Sequence, residues 1–214
     1  AVTGTTAAEA IMGSTGNDTL TGGGGVDRFF AGAGNDTIVL SASDITNLGN
    51  TALGGAKASV NGGGGYDTLR LSGGAALNLT TITNAAAMGM EENSRIESIE
   101  RIDLATDTAA NTITLTATDV KDMASFNLIR LRSTADGNSW SNSDDGNSWS
   151  SGTYFLSAEM NYNQLVVDGT SIDKLVLAAG FGDWANVGTV TNNTSGKTYV
   201  VYQNATTNSQ VFVQ

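Results

Sequence analysis

The sequence predicts a mainly β fold with one or two short helices, and three observations carry that prediction. Gly-rich nonapeptides stand back to back over residues 13–39, each ending in a short run with one large apolar residue, and a further copy stands at 62–70. The later chain carries short runs rich in β-branched and aromatic residues, at Gln164–Asp168, Lys174–Ala178, Lys197–Gln203 and Gln210–Val213, with Asp168-Gly169 and Ser195-Gly196 as turn chemistry. Helix signals are few: an Ala- and Met-rich run at 84–92, and Thr118-Asp119 as a cap to a single turn ending near Met123.

The nonapeptides follow G-G-x-G-x-D-x-U-x, with U large and apolar. They are Gly13–Thr21, Gly22–Phe30, Ala31–Val39 and Gly62–Arg70, and they place Asp18, Asp27, Asp36 and Asp67 in the same register. The spacing has a physical reason. A hard cation takes six to eight oxygens. Glycines let the chain turn tightly and aim its carbonyls inward, and the aspartate supplies charge. The last three residues make a short strand whose apolar side chain (Leu20, Phe29, Ile38) points to an interior.

This pattern resembles the calcium-binding repeat of RTX proteins. The resemblance implies a short Ca²⁺-bound parallel β-roll in which each ion sits between turn n and turn n+2. One turn gives the carbonyls of positions 1 and 3, the other those of positions 2 and 4, and both give the aspartate. Carried over, one site is Gly13, Thr15 and Asp18 with Gly32, Gly34 and Asp36. Ser14 and Ala31 depart from the pattern where only a carbonyl is needed. The second turn then needs a partner. If residues 40–61 loop out, the fourth copy stacks on it, and the second site is Gly22, Gly24 and Asp27 with Gly63, Gly65 and Asp67.

Composition narrows the function. The chain has 214 residues and opens on Ala1, as expected of a piece of something longer. Acidic residues outnumber basic ones, 21 to 10, which repels nucleic acid and attracts cations. Cysteine is absent, so metal takes the place of disulfides if the protein works outside the cell. No apolar run reaches membrane-spanning length. Histidine is absent, which removes Ser-His-Asp and Cys-His catalysis and H-E-x-x-H zinc sites, and no G-x-S-x-G elbow is present. An enzyme is not expected.

Residues 1–12 read as a small-residue lead-in, a linker or an edge strand. Thr68–Leu71 and Ala76–Ile82 read as half-buried strands. The run 95–104, R-I-E-S-I-E-R-I-D-L, carries Ile96, Ile99, Ile102 and Leu104 with phase changes expected of a bulge, and N-T-I-T-L follows with Ile113 and Leu115 on one face. In order and spacing this stretch, with D-V-K-D-M after it, is similar to the segment following RTX repeats in giant bacterial surface adhesins. Glu100 and Asp103 are either further Ca²⁺ ligands or a solvent-facing pair on a strand. Phe181-Gly182-Asp183-Trp184 and Thr198–Tyr202 resemble the closing part of the same module, with Trp184 in the core.

Residues 124–163 interrupt the pattern and carry a duplication, D-G-N-S-W at 136–140 and 145–149. Polar loops that carry aromatics on a rigid scaffold are recognition loops in the functional reading, and tryptophan-pinned structural loops in the plainer one. The first reading gives Asp136, Asn138, Trp140, Asp144, Asp145, Asn147, Trp149 and Tyr154 as the candidate pocket. The resemblance covers nearly the whole chain and implies a single adhesin module, 1–214, in which the roll merges with a β-sandwich-like part. It further implies an extracellular, type I-secreted protein, monomeric within a longer chain, whose pocket Ca²⁺ takes the C-terminal carboxylate of a peptide on another cell. A Ca²⁺-dependent lectin, which would bind a surface glycan, and a purely structural extender stay open beside it. Ice binding needs a longer flat ladder than four repeats provide.

Overall fold

A computed structural model describes residues 1–50, 57–82, 95–129, 146–156 and 161–214. Among them the fold is mainly β, with seventeen strands and two α-helices. The first strands alternate between two sheets. β1 (Val2–Thr3), β3 (Thr19–Thr21), β5 (Thr37–Leu40), β7 (Thr68–Leu71) and β10 (Arg101–Asp103) lie side by side in one sheet. β2 (Ala10–Met12), β4 (Arg28–Phe30), β6 (Ser59–Asn61) and β9 (Ile96–Glu97) make the other. All neighbours in these two runs are parallel. The chain therefore coils as a parallel β-roll.

The register explains why one apolar residue per strand is enough. Leu20, Ile38, Leu69 and Ile102 face one another in sequence across the first sheet. Ile11, Phe29, Val60 and Ile96 do the same across the second. Every one of these eight side chains is buried. Period-2 alternation puts their polar neighbours outside, and stacking converts isolated short strands into one continuous core.

The roll does not end as a separate body. Its first sheet continues through β13 (Asn163–Asp168), parallel to β10, then β17 (Ser209–Val213), β16 (Thr198–Asn204), β15 (Ala185–Asn192) and β12 (Trp149–Ser151). Leu165, Val167 and Val211 face the roll's core, while Val166, Val201 and Phe212 face a second cluster with Trp149 and Tyr199. A third, three-stranded parallel sheet joins β8 (Ala76–Asn78), β11 (Thr112–Leu115) and β14 (Lys174–Leu177).

Several sequence expectations are corrected here. Residues 40–61 are not a plain loop. They contain helix α1 (Ala42–Gly49) and the strand β6, and a strand counts as half a coil. Of the two readings of residues 1–12 the edge strand holds and the linker does not: β1 and β2 stand at the edges of their sheets and together make a full first coil. The phase changes from Ile96 to Ile102 mark a corner of the roll between β9 and β10, not a bulge. Residues Ala185–Asn192, which no local pattern marks as a strand, form β15. The second helix, α2 (Ala117–Met123), ends as expected at Met123, but its cap is Thr116, whose hydroxyl accepts from Asp119 N–H while the Asp119 carboxylate accepts from Thr116 N–H. Trp184 is half-buried against the main core. The helix expected at 84–92 lies outside the described residues.

Candidate metal centre

The turns between the two sheets stack in two columns, one along each edge of the roll. Along the first edge lie the turns 13–18, 31–36 and 62–67, followed by the corner at 97–100. Their contacts repeat. Thr37 N–H donates to the Asp18 carbonyl and Thr68 N–H to the Asp36 carbonyl, each at 2.8 Å. Gly64 N–H donates to Gly32 O and Gly34 N–H to Gly64 O, both at 2.9 Å. Gly63 and Gly65 have φ of 92° and 137°, and a Cβ on either would stand 2.0 Å from the carbonyl oxygen of Gly32 or Gly34. Only glycine allows both the dihedral and the approach.

The acidic side chains form a staircase on this edge. Asp18 N–H donates to Asp36 Oδ1 at 2.7 Å, Asp36 N–H to Asp67 Oδ1 at 2.8 Å, and Asp67 N–H to Glu100 Oε2 at 2.7 Å. Each step uses one oxygen of the carboxylate. The other oxygens, Asp36 Oδ2 and Asp67 Oδ2, are buried and have no hydrogen-bond partner. Burying an ionised oxygen with nothing to hold it is costly. Burial accordingly pushes the Asp36 carboxyl up, and carries that of Asp67 to about 7, with the Glu100 and Asp36 charges adding to the rise against the pull of the Asp36 N–H. Asp18 behaves differently: Ser14, through hydroxyl and backbone N–H, holds it below the usual carboxylate range.

The second edge holds the turns 4–9 and 22–27. Arg28 N–H donates to the Glu9 carbonyl at 2.8 Å and Glu9 N–H to Asp27 Oδ1 at 3.0 Å, the same two bonds seen on the first edge. Asp27 Oδ2 is again buried and unpartnered, and burial raises its carboxyl. Gly4–Met12 is therefore a repeat in which Thr5 and Ala7 stand for glycines and Glu9 for aspartate. The signal was in the sequence: Glu9 lies eighteen residues before Asp27, as Asp18 does before Asp36.

The turn predicted to pair with its second neighbour does so in one case and not in the other. Turn 13–18 stacks on turn 31–36, with Ala33 N–H donating to Ser14 O at 3.1 Å and Asp18 N–H to Asp36 Oδ1. Gly22, Gly24 and Asp27 do not meet Gly63, Gly65 and Asp67. Turn 22–27 runs from the first sheet to the second and turn 62–67 from the second to the first, so they fall on opposite edges. Gly63, Gly65 and Asp67 stack instead on Gly32, Gly34 and Asp36, because β6 adds the half-coil that the looped-out reading omitted.

Glu100 and Asp103 are neither free ligands nor solvent-facing. Glu100 is buried and ends the staircase, its Oε1 accepting from Ser125. Asp103 is buried on the roll's outer face, where Oδ2 accepts from Arg70 Nε at 2.8 Å and from the Thr106 hydroxyl, and Oδ1 from Ala105 N–H at 3.0 Å. Both oxygens of Asp103 are thus engaged within the protein, and it stands away from the turns that carry the other acidic residues.

The half-satisfied carboxylates fit a hard divalent cation. Among the described residues no three acidic or histidine side chains converge on one point. Two carboxylates per gap with backbone carbonyls supply the donor set that Ca²⁺ takes. Asp18 with Asp36, Asp36 with Asp67, and Glu9 with Asp27 would hold the ions, and an ion in each gap would neutralise like charges stacked one above the other. Residues 3–38 match the family described as RTX calcium-binding nonapeptide repeat, in four copies. The chain thus carries RTX repeats that bind Ca²⁺. No curated protein and no solved structure matches this chain.

The recognition candidates divide. Asp136, Asn138, Trp140, Asp144 and Asp145 lie outside the described residues. Asn147 is half-buried. Trp149 is corrected: it is 1% exposed, with ring centroids 5.1 Å from Tyr199 and 6.2 Å from Phe212, and its face is closed to any ligand. Tyr154 is half-buried and its hydroxyl accepts from Gln210 Nε2 at 2.7 Å. These two aromatics pin the returning end of the insertion to the body.

Proposed function

We propose that this chain is a calcium-dependent adhesion module of a secreted bacterial surface protein, and that it takes the C-terminal end of a short peptide. The observation that carries the calcium dependence is the set of buried repeat aspartates, Asp27, Asp36 and Asp67, each with one oxygen bonded and one left for a cation. An extracellular medium supplies millimolar Ca²⁺, and sites of this kind bind it there with dissociation constants of about 10⁻⁴–10⁻³ M. RTX repeats occur in proteins exported by type I secretion, and among the described residues no helix is long and apolar enough to cross a membrane.

The peptide reading rests on chemistry and on the resemblance of the 95–123 segment to giant adhesins. A carboxylate is a natural ligand for a Ca²⁺ with an open position, and requiring a free chain end selects termini over chain interiors. The insertion that would read the side chains is held at both ends by the second core, through Leu128 and Ile129 before it and Trp149 and Leu156 after it.

A peptide array with free and amidated C-termini, probed with and without Ca²⁺, tests the reading. Binding that needs both Ca²⁺ and the free carboxylate supports it. Binding to immobilised monosaccharides instead makes the module a lectin. Binding to neither, with Ca²⁺ still raising the melting temperature, makes it a structural extender.

A further inference from the structure

The second edge has a feature outside the repeats. Helix α1 begins where the next turn of that column is due, directly after β5. Its Asn47 amide donates to the Gly25 carbonyl at 2.6 Å, which docks the helix on turn 22–27. Its capping box is built from Ser41 and Asp44: Asp44 Oδ2 accepts from Ser41 N–H at 2.8 Å and from the Ser41 hydroxyl at 2.6 Å. That employs one oxygen. The other, Asp44 Oδ1, is buried without a partner in a residue only 4% exposed.

Asp27 presents the matching half. It is 1% exposed, its Oδ1 accepts from Glu9 N–H, and its Oδ2 is unpartnered. The two free oxygens border the same gap. A Cβ placed on Gly22 would stand 2.6 Å from Asp27 Oδ2 and 2.7 Å from Asp44 Oδ1. The Ser43 hydroxyl faces the neighbouring Gly24, 3.3 Å from where its Cβ would be. Two buried carboxylate oxygens bordering one gap beside a glycine repel unless something positive lies between them.

We infer that Asp27 and Asp44, with Ser43 and the carbonyls of turn 22–25 nearby, form a further Ca²⁺ site in which a helix cap replaces the missing repeat. Asp44 then serves two ends, closing α1 with Oδ2 and holding the ion with Oδ1. The ion fastens the helix to the roll and finishes the second column, as Glu100 finishes the first. The site shares with the proposed function only the premise that these carboxylates bind Ca²⁺, and it needs no particular ligand for the module.

Crystals of the unaltered chain soaked in Tb³⁺, which stands in for Ca²⁺ and scatters anomalously, give a direct test. A peak between Asp27 Oδ2 and Asp44 Oδ1 is expected, beside peaks at the repeat turns. Peaks at the Asp18, Asp36 and Asp67 turns with none here overturn this site and leave the repeats' calcium binding intact; no peaks anywhere overturn both. Native mass spectrometry in Ca²⁺ supplies the second measurement. Asp44→Asn keeps an oxygen for the cap but loses the charge, and is expected to carry one ion fewer than the parent. Ser41→Ala weakens the cap alone and is expected to keep the parent's count at a lower melting temperature. An unchanged count in Asp44→Asn, or the same loss in Ser41→Ala, overturns the assignment.

Discussion

The backbone N–H of Asp36 donates to Oδ1 of Asp67 at 2.8 Å, across 31 residues of sequence, and both aspartates keep a second, buried oxygen without a partner. The fold thus stacks these carboxylates, like charge upon like charge, along one edge of the roll. Metal removal should therefore be felt by the whole roll. At several millimolar Ca²⁺, each site contributes about 1–2 kcal/mol by mass action. For a chain of this size one kcal/mol shifts the melting temperature by roughly 2–4 °C. Thermal melts with and without EGTA should differ by on the order of 10 °C, and an unchanged melt contradicts calcium bracing.

Asp67→Asn separates the two roles of that side chain. The amide oxygen can still accept from Asp36 N–H, but the charge is gone. In EGTA the variant should melt at or above the parent, because a buried like charge has been removed. In Ca²⁺ it should melt below the parent, because a ligand has been lost. A variant that falls by the same amount in both media contradicts the assignment.

The pH dependence of the metal-free form follows from the same residue. Asp67 titrates at about 7 in the fold and near 4 in the unfolded chain. Between those values the folded state holds a proton that the unfolded state has released, so its contribution is complete below about pH 4 and is lost as pH rises to about 7. Asp27 and Asp36 are shifted the same way by burial. Chelated protein should melt higher at pH 5 than at pH 8, by a free energy on the order of a few kcal/mol. The Ca²⁺-induced rise in melting temperature should grow over the same interval, since the ion needs ionised carboxylates.

Two adjacent glycines predict opposite outcomes. Gly63 has φ of 92° and its Cβ would lie 2.0 Å from Gly32 O, whereas a Cβ on Gly64 meets nothing within 4 Å. Gly63→Ala should cost roughly 1–3 kcal/mol or more in chemical denaturation. Gly64→Ala should be close to neutral. Equal effects at both positions would mean the turns stack differently.

Trp149→Ala should destabilise by about 3–5 kcal/mol, the usual range for deleting a large buried aromatic, because its ring sits against Tyr199 and Phe212 in the second core. Loss of binding to any partner should follow only from that destabilisation. A stable variant that has lost binding would return Trp149 to the recognition surface.

The parts of this fold that were legible in the sequence are those in which a short stretch dictates its own geometry. Gly13–Val39 declares turns, strands and inward residues within each nine-residue copy, because glycine dihedrals and one apolar side chain decide them locally. Gly4–Met12 was missed because Thr5, Ala7 and Glu9 replace the expected types, although the spacing of Glu9 to Asp27 and of Ile11 to Phe29 was intact. Which turn stacks on which was harder. That choice depends on counting strands, and Ser59–Asn61 is too short to announce itself between a helix and a loop. Trp149 misled for a related reason: its D-G-N-S-W neighbours are polar, but its burial is decided by β15 and β16, whose pairing no local pattern encodes. Asp44 read as an ordinary helix-cap residue, and only the folded arrangement sets it opposite Asp27.

β17 occupies the middle of the ten-stranded sheet, between β13 and β16, although it is the latest of the seventeen strands in sequence. Until Ser209–Val213 is in place, the half-sheet ending at β13 and the hairpin ending at β16 expose facing edges with no keystone to join them. Closure of the sheet therefore waits for the latest of its own strands, and the two earlier parts are joined only through it.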